Sequence, residues 1–310
     1  MEAITFPNGQ ITMAGHLHVP EDFDPDGSHP AIVVVHPGGG VKEQAAGLYA
    51  SKLAEQGFVT LAYDASHQGD SGGEPRHLED PYARVEDIRA AVDHLQALAY
   101  VDAERIGALG ICAGGGYSVS AALTDYRIKA LTTVSAVNIG TSFRRGWYGT
   151  ESDAAAVPTL QALARQRTAE AAQDAEPAYL PYVPAEPDEN TPGDLVEAGD
   201  YYLTPRAQHP NAENKFLFTK SVSRIFTFDA FHMVEDLLTQ PILVIAGSEA
   251  GSLWMSTELH GRARSPKRLH VVEGGTHMDF YDVPKYVDRA IAEATPFFRQ
   301  HLAAGPGGQS

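Results

Sequence analysis

At 310 residues and 43% hydrophobic content, the chain is long enough for one large domain or for a core carrying an insertion. Its 23 basic and 40 acidic residues leave a net charge of −17, which repels phosphate backbones and anionic membranes, so no nucleic-acid or membrane partner is expected. A single cysteine excludes an internal disulfide. With no basic, apolar leader at its start and no membrane-length apolar run, a cytoplasmic protein is the expectation.

Taken in order, residues 4–6 and 11–19 are β-prone runs around Pro7-Asn8-Gly9, a hairpin signal. His16 and His18 share a strand face, but without a third ligand nearby they do not read as a metal site. Residues 31–35 form a continuous β-branched run, as a parallel strand buried on both faces requires. It ends at His36-Pro37-Gly38-Gly39-Gly40, where glycines let backbone N–H groups approach a ligand, and no Lys-Ser/Thr follows to make a phosphate loop. A helix over 42–56 and a strand over 58–63 come next, then a polar loop holding His67. Residues 84–98 are amphipathic. Val85, Ile88, Val92 and Leu95 form the inner stripe, and Glu86, Asp87, Arg89 and Asp93 are expected opposite.

Residues 105–111 form a further strand, entering Gly110-Ile111-Cys112-Ala113-Gly114, and a small-residue helix leaves it. This is a strand–turn–helix elbow with sulfur at its apex, the helix N-terminus favouring a thiolate. A buried inert cysteine and a dinucleotide turn are the rival readings. The second needs glycine where Cys112 stands. A strand over 130–135 follows. Residues 142–148 then leave the sheet, a helix covers 158–172, and prolines 177, 181, 184, 187 and 192 are expected to break regular structure. Aromatic residues decorate the stretch up to 240 as a lid or a second packing layer. Residues 241–247 and 269–273 are the last strands, and 284–302 a closing helix. The count is eight strands, a hairpin and then alternation with helices. It implies an α/β fold with a mostly parallel sheet covered on both faces.

The elbow Gly110–Gly115, the His36–Gln44 stretch, the polar loop 64–76 and the Gly274-Gly275-Thr276-His277-Met278-Asp279-Phe280-Tyr281-Asp282 end together carry a resemblance. The chain resembles α/β-hydrolases of the dienelactone-hydrolase-like type with a cysteine nucleophile. More narrowly, it is similar to a group often called polyketide transferases or thiohydrolases. The resemblance implies the α/β-hydrolase fold with a helical cap after the sixth strand: core 1–145 and 241–302, cap 146–240, and a disordered tail 303–310. It implies Cys112 as nucleophile, His277 as base and the N–H groups of Ala113 and Gly38 as oxyanion hole. The family's acid is an Asp after the seventh strand, which Gly247-Ser248-Glu249-Ala250-Gly251-Ser252 lacks. Glu249 is the nearest candidate, and Asp279, Glu258 or no residue are the alternatives. His36, Arg144 and Trp147 are the substrate-binding candidates, Arg144 beside Arg145 for a carboxylate or phosphopantetheine.

The expected activity is hydrolysis of an ester, lactone or thioester of a small carboxylic or polyketide-like acid through an acyl-enzyme. The expected partner is a small-molecule acyl substrate, with carrier- or CoA-bound forms included. No cofactor and no metal are expected, and a homodimer is left open. The rival readings are transfer to a non-water acceptor, C–C bond hydrolysis, and a non-catalytic ligand-binding homologue.

Overall fold

The structure, a computed structural model, describes residues 1–304; of the expected disordered tail, 305–310 lie outside the described residues. In chain order the elements begin β1 (Glu2–Asn8), β2 (Ile11–His18), β3 (His29–Val35), α1 (Ala45–Ala54), β4 (Val59–Tyr63), α2 (Pro81–Ala97), β5 (Val101–Ile111), α3 (Ala113–Ala122) and β6 (Ile128–Val134). An insertion follows, with α4 (Ile139–Arg145), α5 (Val157–Ala171), β7 (Tyr179–Leu180), α6 (Gly193–Leu203), β8 (Phe216–Leu217), α7 (Phe218–Thr227) and α8 (Val234–Leu237). The chain closes with β9 (Ile242–Gly247), α9 (Leu253–Arg262), β10 (Lys267–Val272), α10 (Asp279–Asp282) and α11 (Pro284–His301).

Eight strands form one sheet in the order β1-β2-β4-β3-β5-β6-β9-β10. β2 runs antiparallel to both neighbours, and the remaining pairs are parallel. The period-2 alternation of a strand then divides the core in two. On β3, Ala31, Val33 and Val35 enter the core under α2, α3 and α9, whereas Ile32 and Val34 enter the core under α1 and α11. A strand buried on both faces has no polar face to show, which is why it reads as an uninterrupted apolar run.

The helices differ from the expected bounds where start signals were overlooked. α2 begins at Pro81, not at 84. The Asp80 carboxylate accepts from the Tyr82 N–H, and proline at the first turn needs no partner. Asp87, expected on the solvent face of α2, is buried. It accepts from the Ser66 N–H at 2.9 Å and from Asn8 Nδ2 at 2.8 Å, tying the polar loop and the hairpin to the helix. In the insertion, α6 and α7 form where prolines and aromatics gave no periodic signal. Ala198, Tyr201 and Tyr202 of α6 pack into the α1/α11 core, and Val222 and Phe226 of α7 pack on Leu163 of α5. Tertiary burial overrides weak propensity at Gly193 and Gly199. Among the described residues no helix is long and apolar enough to cross a membrane.

Candidate active site

β5 and β6 deliver the elbow. Cys112 sits between β5 and α3 at φ 55° and ψ −124°, a conformation that costs a non-glycine residue free energy and that its surroundings must enforce. They do so through the Cys112 backbone. Its N–H donates to Val134 at 3.0 Å, and its carbonyl accepts from Gly115 and Val137, each at 2.9 Å. A Cβ on Gly110 would collide with the Gly114 carbonyl, and one on Gly114 with the Val35 carbonyl, so both flanks of the bend must be glycine.

The Tyr281 hydroxyl and the backbone N–H groups of Ala113 and Gly38 lie around the Cys112 thiol. Burial pushes the thiol up, while these donors and the Arg84 guanidinium pull it back toward the thiolate. The two amides are those expected to form the oxyanion hole. Cys112 opens onto a cavity of about 280 Å³ whose wall includes Val137, Ile139, Phe143, Trp147, Leu195 and Phe216. A smaller space of about 80 Å³ beside it is bounded by Cys112, Trp147, Asp194, His277 and Tyr281.

His277 is buried on the loop after β10. Its Nδ1 lies 2.6 Å from Ser252 Oγ and its Nε2 lies 3.3 Å from the Tyr281 hydroxyl, and Cys112 borders the same small space as His277 and Tyr281. The Trp147 ring stands edge-on to the imidazole, 5.0 Å between centroids at 74°. Burial lowers the His277 pKa to about 4, opposed by the negative charge of Asp194. The imidazole is therefore neutral near pH 7 and free to accept a proton.

The expected acids stand elsewhere. Glu249 is exposed, with its carboxylate 3.4 Å from Ser248 Oγ, and both ring nitrogens of His277 are taken by Ser252 and Tyr281. Asp279 accepts from the Thr276 N–H at 2.9 Å, and Glu258 pairs with Arg262 at 3.1 Å. The side chain that the loop after β9 presents to the imidazole is the serine that starts α9. The carboxylate nearest the histidine comes from the insertion. Asp194, buried on α6, accepts from the His277 N–H at 3.2 Å, and from Trp147 Nε1 and the Gly251 N–H at 2.7 Å each.

Of the substrate-binding candidates, Trp147 lines the cavity. His36 does not. It is fully buried, its Nε2 accepts from the Ala65 N–H at 3.1 Å, and its Nδ1 lies 2.6 Å from the Pro37 carbonyl. Those partners fix the Nδ1–H tautomer and hold the glycine-rich turn, and burial beside Arg84 keeps its pKa well below the ordinary histidine value. Arg144 is a tie within the insertion. It donates to the Phe226 and Phe228 carbonyls at 2.6 and 3.1 Å and pairs with Asp153 at 3.3 Å. Arg145 also pairs with Asp153.

Two buried ion clusters brace the site. Arg84 pairs with Glu79 at 3.2 Å, lies 4.7 Å over the Tyr117 ring, and donates to the His36 carbonyl at 2.8 Å. The grouped carboxylates of Glu43, Asp64 and Asp70 surround the Lys42 ammonium at 2.6, 2.8 and 2.8 Å, pinning the polar loop to the turn. Sequence reasoning missed Tyr281, Ser252, Asp194 and Arg84. Tyr281, Ser252 and Arg84 lay inside stretches already marked (274–282, 247–252 and 84–98), but Asp194 did not.

Known proteins are similar to this chain along most of its length. PA2218 of Pseudomonas aeruginosa, solved by crystallography, superposes with a TM-score of 0.89 at 36% identity, covering 97% of this chain and 93% of that one. The Escherichia coli K12 protein YcjY is 51% identical over 296 residues, 95% of this chain and 96% of its own. The polyketide transferase grgF of a Penicillium species is 25% identical over 260 residues, 82% of each chain. The model of the alpha/beta hydrolase family matches residues 32–290, and the chain belongs to that family.

Proposed function

We propose that the protein is an acyl-transfer enzyme in which Cys112 is the nucleophile and His277 the general base. The observation that carries this is the Tyr281 hydroxyl 3.3 Å from His277 Nε2 in a small space that Cys112 also borders, with Ala113 and Gly38 lining the cavity at the same sulfur. As Tyr281 gives its proton to Nε2 it takes the thiol proton, leaving a thiolate beside an imidazolium. The sulfur bonds to the substrate carbonyl carbon, and the new oxyanion is held by the Ala113 and Gly38 N–H groups. Collapse breaks the bond to the leaving alkoxide or thiolate, which takes the proton from Nε2. Water, or another acceptor, then gives its proton to His277 and attacks the thioester, releasing the acid or the transferred product and restoring Cys112.

The insertion acts as a cap in this reading. Its Trp147, Leu195 and Phe216 supply part of the cavity wall. Among the described residues that wall holds no charged side chain, and Arg144 and Arg145 are spent on Asp153, so the acyl group is small, apolar and without a carboxylate. The name of the Penicillium relative, a polyketide transferase, supports acyl transfer as the reaction class.

The test is incubation with activated esters and thioesters of apolar and anionic acids, read by intact mass and product release. Apolar acyl donors are expected to label and turn over, Cys112→Ala to do neither, and a dicarboxylic donor to lag at least about tenfold in kcat/KM. Turnover by Cys112→Ala equal to wild type would remove the nucleophile.

A further inference from the structure

A histidine that becomes an imidazolium needs two services: something that fixes its ring and something negative that stabilises its charge. Here they come from different side chains. Ser252 Oγ at 2.6 Å fixes Nδ1 but brings no charge. Asp194 brings a buried carboxylate, and its recorded partners are all neutral N–H donors: Trp147 Nε1, the Gly251 amide and the His277 amide. Neutral donors leave that negative charge uncancelled beside the imidazole. The three donors also lie on three separate segments: the chain after α4, the loop after β9 and the loop after β10. One carboxylate therefore joins the insertion to both core loops.

We infer that Asp194, delivered by α6 of the insertion, is the positioning residue that stabilises protonated His277, and that with Ser252 it replaces the acid missing from the loop after β9. The site is then complete only with α6 docked on the two loops, which makes the insertion part of the catalytic apparatus and more than a wall of the cavity. This rests on the acyl-transfer reading above. A carboxylate held only as a latch would matter for the docking of α6 and for substrate affinity, whereas a charge-stabilising carboxylate acts on the chemical step.

The groups facing His277 from the elements around it are Asp194 on α6, Tyr281 on α10, Cys112 at the elbow, Ser252 at the start of α9, and Tyr202 across the small cavity. Glu197 on α6 reaches the neighbouring Thr276 hydroxyl at 2.7 Å. Of these, Asp194 is the negative charge that opposes the effect of burial on the histidine. With it in place, the wild-type imidazole takes a proton at higher pH than the imidazole of a variant that lacks it.

The experiment is a comparison of wild type, Asp194→Asn and Ser252→Ala on the best acyl donor from pH 7 down to 3.5, with melting temperature recorded for each. Asp194→Asn is expected to lose about 10- to 100-fold in kcat with KM changed less than about threefold. The wild-type-to-variant ratio of kcat/KM should narrow toward pH 3.5, because wild-type His277 is protonated first. Ser252→Ala, which keeps the charge, is expected to lower kcat by a ratio that stays flat over the same range. A loss in Asp194→Asn confined to KM, or a ratio that is flat or widens on acidification, overturns the inference. If Asp194→Asn does not fold, Asp194→Glu decides instead. Retention of the charge predicts kcat within about tenfold of wild type and an unshifted acidic limb, and a shifted limb counts against the assignment. Labelling of wild type at Cys112 tests the underlying reading separately. If wild type labels and Asp194→Asn titrates like it, only this inference fails.

Discussion

The Tyr281 hydroxyl stands 3.3 Å from Nε2 of His277 in the small space that Cys112 also borders, so the proposed path between thiol and imidazole runs through a phenol. Burial and the neighbouring thiol hold that phenol well above the ordinary tyrosine range, so it stays protonated and passes a proton only by exchange. Tyr281→Phe breaks the path while keeping the ring packed on Tyr201 and His277. The expected result is a loss of about 10- to 100-fold in kcat at a cost of about 1 kcal/mol in stability. Stopped-flow acylation and urea unfolding measure the two. Acylation within twofold of wild type would mean that sulfur and imidazole meet directly during turnover.

Glu249→Gln separates the geometry from the family pattern. The carboxylate is exposed and touches neither ring nitrogen of His277, so kcat/KM is expected within about twofold of wild type. A loss of tenfold or more in steady-state assays would return Glu249 to the role that the order of the chain suggested.

The split between what could and could not be read in the residues has a physical basis. The sheet was legible because β-branched runs such as 31–35 are buried on both faces, and the elbow because two glycines at fixed spacing have a steric cause. Spacing at the elbow marked Cys112, whereas His277 and the two candidate oxyanion amides came from the family resemblance. Asp194 was not legible. It lies 83 residues from His277, on a helix whose two glycines and preceding proline hide its period, and its role exists only through tertiary contact. Ser252 was hidden for the opposite reason. It sits in the loop where an acid was sought, and a hydroxyl does not advertise itself as one.

Acid sensitivity follows from the histidines. His277 and His18 titrate near 4 in the fold, and His36 well below the ordinary 6.5, each mainly because burial disfavours the cation. With folded values below unfolded ones, the unfolded chain binds more protons between these limits. Their contribution is full above about pH 6.5 and is lost as pH falls toward 4. Asp87 works the other way. Burial raises it to about 6, so its cost is relieved as pH falls from 6 to 3.8. Three histidines outweigh one aspartate, and urea midpoints are expected to fall steadily from pH 7 to 4.5. A midpoint that is flat or rises over that range would contradict the burial of these rings as neutral species.

Arg84 tests the brace beneath the elbow. It is fully buried, and its removal leaves Glu79 charged in the core with only Tyr117 and Gln68 as donors. Arg84→Leu is expected to cost about 3–5 kcal/mol in urea unfolding. A cost below about 1 kcal/mol would mean that the buried Arg84–Glu79 pair does not brace the elbow.

The most direct measurement of the central claim is peptide mapping of the protein quenched during turnover of an apolar acyl thioester. A thiol nucleophile fed by His277 predicts one acyl group per chain, located on Cys112, that disappears on completing turnover and never forms in Cys112→Ala. An adduct on another residue, or turnover with Cys112 unmodified throughout and equal rates for Cys112→Ala, would contradict it.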